Sequence, residues 1–161
     1  MIFISLGSQK FQFNRLLKIV DKLIEENIIK DKVFAQIGVS DYVPLNYEYC
    51  KFLDADEFNS LLYRSEYIIT HAGTGAIVNS LKKGKKVIVV PRLSECSEHV
   101  DNHQQEIAKV FEESNLVMNA NDYDGLVTCI NRINNWQPDK FVGNNSSYID
   151  FISRFITQER E

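Results

Sequence analysis

The chain has 161 residues, 44% of them hydrophobic and 25% charged, with a net charge of −4. That length suits one domain with a real core, and the acidic balance offers no general drive toward nucleic acid or an anionic membrane. Three cysteines, Cys50, Cys96 and Cys129, lie far apart without metal-ligand spacing, so a reduced, cytoplasmic protein is expected. The N-terminus lacks the pattern of a signal peptide, and no apolar run approaches the roughly 20 residues that span a bilayer.

Met1 to Leu6 is an apolar run that reads as a strand, turned by Gly7-Ser8-Gln9. Phe13 to Asn27 carries Leu16, Leu17, Ile19, Val20, Leu23 and Ile24 at helical spacing. Val33 to Ile37 reads as the second strand, ended by Gly38, and a loop with Pro44 follows. Tyr49 to Leu53 is expected to be the third strand. Asp54 then caps a helix to about Ser65, with Glu57 where a capping box needs it.

Tyr67-Ile68-Ile69 supplies the next buried strand, and Thr70-His71-Ala72-Gly73-Thr74-Gly75 turns it into a helix that runs to Lys83. Gly84 sits where a helix-terminating glycine belongs. Val87 to Val90 is a β-branched run of the kind buried on both faces of a sheet, and Pro91 ends it. Arg92 to Val100 reads as a polar loop, Asp101 to Glu113 as a helix and Leu116 to Met118 as a short last strand. A helix capped by Asn121 or Asp122 runs to Ile133. Trp136 to Ser146 is irregular. Residues 147–158 place Tyr148, Phe151, Ile152, Phe155 and Ile156 on one face of a final amphipathic helix, which either docks a partner or packs on the domain.

Strands alternating with helices predict a single α/β domain over residues 1–161, a Rossmann-like, mostly parallel sheet with helices on both faces. Ligands of such sheets sit at the carboxyl ends of the strands. The turns at Gly7, Gly38, His71 to Gly75 and Pro91 to Asn102 therefore belong to one rim.

The glycine turn admits two readings. It is a tight strand-to-helix connection, or it is an anion site in which unpaired helix N–H groups and the helix dipole hold a phosphate. It is not a Walker loop. A dinucleotide fold is a rival: Gly73 and Gly75 supply two glycines of its fingerprint and Glu95 a downstream acid, but Val78 stands where the third glycine belongs. Asp54-Ala55-Asp56 matches a metal-diphosphate Asp-x-Asp, yet a helix cap explains the same residues. Asp101-Asn102-His103-Gln104-Gln105 is either a solvated helix start or a set of donors and acceptors for sugar hydroxyls. His99 and His103 are four apart, but no third metal ligand is evident. His71 is either a core imidazole satisfied by a carbonyl or a group that supports a phosphate or sugar by hydrogen bonding or charge. Lys82 to Lys86 reads as a solvated helix end.

Together, Gly7-Ser8-Gln9, His71-Ala72-Gly73-Thr74-Gly75, Val87 to Arg92 and Asp101-Asn102-His103-Gln104 resemble the C-terminal, donor-binding half of GT-B glycosyltransferases, and within them the family 28 C-terminal domain. The chain is similar to free-standing subunits of that plan. These serve two-component N-acetylglucosaminyl transfer to dolichol-linked sugars, and bacterial capsule and exopolysaccharide synthesis. The resemblance implies a UDP-sugar donor and a hexose transferred with inversion, without a metal or other cofactor. Gly73, Thr74 and Gly75 would hold the diphosphate, with Gly7 and Ser8 facing them. Asp101, Asn102, His103 and Gln104 would meet the donor, with His103 and Gln104 on its sugar, and His71 would be the catalytic candidate beside the phosphate. Asn79 stands where the family often has a ribose-binding Glu, which leaves ribose recognition without that charge. Because only half of a GT-B enzyme is visible, the resemblance also implies a membrane-associated partner that binds a lipid-linked saccharide acceptor.

Overall fold

A computed structural model describes residues 1–142; the amphipathic helix expected over 147–158 lies outside them. The described residues form six strands in one sheet: β1 (Ile2–Ser5), β2 (Val33–Gln36), β3 (Glu48–Cys50), β4 (Tyr67–His71), β5 (Lys86–Val90) and β6 (Met118–Asn119). The five α-helices are α1 (Asn14–Glu25), α2 (Ala55–Arg64), α3 (Thr74–Lys82), α4 (His103–Glu113) and α5 (Tyr123–Ile133). Every strand pairing is parallel, and the order across the sheet is β3-β2-β1-β4-β5-β6.

Alternation along the strands sorts the core into two layers. Ile2, Ile4, Tyr67, Ile69, Ile88 and Val90 point to the face covered by α1 and α5. On the other face, Phe3 and Ile68 meet Leu61 and Leu62 of α2, while Val87 and Val89 meet Ile77 and Leu81 of α3 and Phe111 of α4. The central strands are covered on both sides, which is why β4 and β5 are nearly unbroken apolar runs.

Local signals set the helix ends. Asp54 and Glu57 form the expected capping box at α2, and Asp122 accepts from the Gly125 N–H at α5. Gly84, at φ 68, follows α3. The lysine cluster is more than a solvated end. Lys85 donates to the carbonyls of Tyr63 and Ser65 at the C-terminus of α2, and Lys86 to those of Ile133 and Asn134 at the C-terminus of α5. Ammonium groups there satisfy carbonyls that a helix leaves unpaired and complement its dipole.

Two strands differ from expectation. β3 lies at Glu48–Cys50 rather than Tyr49 to Leu53, and β6 at Met118–Asn119 rather than Leu116 to Met118. Both are sheet edges. An edge strand pairs on one side only, so the ladder and not the local apolar run decides where it starts and stops. Leu116 and Val117 remain buried, packed with α4 ahead of the strand.

Candidate functional site

The strand order reverses direction between β1 and β4. Chain progress is outward through β2 and β3 on one side, and through β5 and β6 on the other. Loops leaving the carboxyl ends of β1 and β4 therefore diverge to opposite faces and leave a crevice between them, the usual ligand position of an open α/β sheet. Gly7-Ser8 leaves β1 and His71-Ala72-Gly73 leaves β4, so these expected site residues share that crevice. In this strand order a dinucleotide-binding domain carries its glycine fingerprint after β1. Here the Gly-x-Gly turn follows β4, on the other side of the switch point.

His71 occupies the floor. Its residue is only 5% exposed, and its ring is bracketed by two glycines. A Cβ on Gly7 would lie 2.6 Å from the ring Cε1, and one on Gly73 would lie 2.2 Å from Nε2. Both separations are shorter than any tolerable contact, so the two glycines exist partly to make room for the imidazole. Gly7 also has φ +72, a conformation that side chains resist. On the inner side, Nδ1 lies 3.5 Å from the Ser5 carbonyl and 3.4 Å from the Thr70 hydroxyl, which itself donates to Ser5 at 2.7 Å. Burial above all, and then the nearby Arg92 charge, pushes the His71 pKa down to about 4, against a weaker pull from the Ser5 carbonyl. The ring is thus neutral at pH 7. A neutral ring there can support a phosphate or sugar by hydrogen bonding and shape.

The first turn of α3 stands beside it. Helices leave their first N–H groups without intrahelical partners. In α1 the Asn14 N–H is taken by the Gln12 side chain, in α2 Glu57 N–H by Asp54, in α4 His103 N–H by Asp101 and in α5 Gly125 N–H by Asp122. Among the described helices α3 alone has no side chain accepting there: its N-cap is Gly73, and its first internal bond is Ile77 N–H to the Gly73 carbonyl. Thr74 is half-buried and Gly75 exposed, with open space where a Gly75 Cβ would go. Ser8, across the crevice, is exposed. Asn79 lies half-buried on α3.

The run from Arg92 to Gln104 forms the third wall, and here the sequence reading missed most. Expected as a polar loop, it contains a 3-10 turn at Ser94–Cys96 and two buried charged residues, Arg92 and Glu98. The Arg92 guanidinium donates to the carbonyls of Leu6, Phe11, Gln12 and Glu98 over 2.8–3.3 Å, with the Phe13 ring 4.9 Å away. Burial lowers its pKa to about 10, opposed by Glu98, so it stays charged at neutral pH. Glu98 in turn accepts from Nε and Nη2 of Arg15 and from the Leu93 N–H. This network ties the segment after β1 to the segment after β5, and so fixes the width of the crevice. An arginine directly behind a fully buried strand and a proline was the available signal.

Gln104 is 1% exposed, so it does not stand on an open helix start. Its Oε1 accepts from the Arg92 N–H at 3.1 Å, while its buried Nε2 has no partner. Asn102 is exposed and accepts from the Ser94 N–H. Asp101 Oδ1 accepts from the His103 N–H at 3.1 Å and also lies against Nδ1 of both His103 and His99. A third ligand type thus joins the two histidines, contrary to the reading from spacing alone. Burial works to raise the Asp101 carboxyl, but the hydrogen bonds from His103 outweigh it and hold the carboxyl below its usual range. Burial and the neighbouring His103 lower the His99 pKa. Asp54 and Asp56 belong to the first turn of α2, where Asp54 accepts from the Glu57 N–H.

An all-parallel sheet in this order, with helices on both faces, is a Rossmann-like α/β domain, and solved glycosyltransferases share the fold. CalG4, the calicheamicin glycosyltransferase, superposes with a TM-score of 0.56 at 18% identity, over 81% of this chain and 34% of that one. An NMR solution structure of ALG13 gives 0.61 at 21% identity, over 93% of both chains. Residues 1–149 match the glycosyltransferase family 28 C-terminal domain. The chain belongs to that family.

Among curated relatives, the UDP-N-acetylglucosamine transferase subunit ALG13 of Kluyveromyces lactis is 33% identical over 121 residues, 74% of this chain and 53% of that protein. The subunit of the same name from Saccharomyces cerevisiae is 45% identical over 53 residues, 33% of this chain and 24% of that protein. The chain spans about half the length, or less, of the curated relatives it matches.

Proposed function

We propose that this chain is the donor-binding part of a two-component glycosyltransferase that takes a sugar from a UDP-sugar. The uncapped first turn of α3 at the β1/β4 switch point carries the reading. Its free N–H groups and dipole suit a diphosphate, and Gly75 leaves the backbone open to close approach. Gly73, Thr74 and Gly75 seat the diphosphate, with Gly7 and Ser8 opposite and Asn79 toward the ribose. Gln104 offers its unpartnered Nε2 to the donor sugar, beside Asp101, Asn102 and His103. Charge builds on the departing UDP during displacement at the anomeric carbon, and preorganised N–H donors stabilise it. A neutral His71 shapes the floor; at a pKa of about 4 it is a poor general base. The base and the acceptor site then fall to a membrane-associated partner holding a lipid-linked saccharide, which recruits this chain to the cytoplasmic face.

The relatives' names make UDP-N-acetylglucosamine the first donor to test. The relatives reported above are yeast transferase subunits, and they give no support to the bacterial polysaccharide setting. Calorimetric titration with UDP, UDP-N-acetylglucosamine, UDP-glucose and UDP-galactose tests the reading. Saturable UDP binding that Gly75→Ala weakens upholds it. An absence of UDP affinity, alone and with the co-expressed partner, overturns it.

A further inference from the structure

All three histidines of the chain lie along the same rim. His71 is enclosed by glycines, but His99 and His103 meet each other and a carboxylate. Their rings are 4.6 Å apart, centroid to centroid, in an edge-to-face arrangement. Nδ1 of His99 is 3.2 Å from Asp101 Oδ1, and Nδ1 of His103 bonds the same oxygen. One ligand atom from each of the three residues lies within 4.8 Å of the others.

We propose that His99, Asp101 and His103 bind one divalent transition-metal ion of the zinc type. Two imidazole nitrogens with one carboxylate oxygen is a donor set suited to zinc rather than to magnesium or calcium, which take oxygen ligands. Ligand atoms around a tetrahedral zinc with bonds of about 2.1 Å sit about 3.4 Å apart, close to the His99–Asp101 separation. Three protein ligands leave a fourth position for water or a ligand oxygen, and Asp101 is exposed, so an ion has a way in.

The ligands are held before any ion arrives. The His99 side chain is 6% exposed with the Phe11 ring 5.2 Å from it. The His103 N–H fixes Asp101 Oδ1, and Asn102 accepts from Ser94 N–H to anchor the loop. Helix capping explains only part of this. The α4 N-terminus needs one acceptor for the His103 N–H, whereas here two imidazole nitrogens converge on that same oxygen as well.

Asp101→Asn separates the two roles, because Asn caps a helix as well as Asp does but is a poor zinc ligand. The untagged, EDTA-stripped 161-residue chain would be titrated with Zn2+ by calorimetry and with Co2+ by visible absorption. One ion per chain is expected, with the intense Co2+ bands of four-coordinate geometry. Asp101→Asn and His103→Ala should each weaken binding about tenfold or more, while Cys96→Ser leaves it unchanged. The metal-free melting temperature of Asp101→Asn should match the parent. No saturable binding, or binding that survives both ligand substitutions, overturns the proposal. The readout is metal affinity, so the result stands apart from whether the crevice binds UDP.

Discussion

The Nε2 atom of His71 occupies the space that a side chain on Gly73 would need: an added Cβ would lie 2.2 Å from it. Two residues apart in sequence, they are interlocked at the end of β4, and Gly7 closes on the same ring from β1. The glycine turn is therefore shaped from below by the imidazole as well as from above by any ligand.

Gly73→Ala should destabilise the fold by about 1–3 kcal/mol, as overpacking of an ordered site does. The same change should cost much less in a His71→Ala background, where the ring no longer fills the space. Urea unfolding of the four proteins of this cycle measures the coupling. Strict additivity would mean that the ring moves aside freely and does not shape the turn.

Gly75→Ala should part stability from binding. Nothing lies within 4 Å of an added Cβ, and the position is inside α3, where Ala is favoured over Gly by up to about 1 kcal/mol. The melting temperature should hold or rise. UDP affinity should fall, because the methyl group stands where a diphosphate approaches the backbone. Unchanged UDP affinity in this well-folded variant would remove the diphosphate from the α3 turn.

Acid should weaken the fold through His71. Its pKa is about 4 in the folded chain against an ordinary 6.5, so between those values the unfolded chain binds more protons. Stability contributed by the neutral ring is complete above about pH 6.5 and drains as pH falls toward 4, by up to about 3 kcal/mol. His71→Gln should flatten the pH dependence of urea stability across that window. His99, also lowered, leaves a residual slope. Equal slopes in both proteins would place the acid sensitivity elsewhere.

Arg92→Lys should be costly despite keeping the charge. One guanidinium serves four carbonyls from three separate stretches, and an ammonium lacks the planar fork to reach them all. A loss of about 2 kcal/mol or more is expected, with UDP affinity falling as the crevice loosens. If the variant unfolds at the parent's urea concentration, the Arg92 network does not hold the crevice walls together.

The elements were legible because their causes are local. The stripe from Leu16 to Ile24 specifies α1, Asp54 with Glu57 specifies the start of α2, and the β-branched run from Val87 to Val90 specifies a strand covered on both faces. Spacing and turn chemistry also led to the rim and to the glycine turn. What the sequence could not supply was who meets whom across the sheet. The order that sets β1 against β4 arises from the packing of helices on both faces, and it alone creates the crevice. The edge strands shifted because their bounds depend on a ladder partner distant in sequence. The burial of Gln104, Arg92 and Glu98 was hidden for the same reason: each is polar, and only contacts from 5 to 86 residues away make a buried polar group affordable. The neutrality of His71 likewise follows from its burial and then from the Arg92 charge, neither of which can be placed around it until the chain has folded.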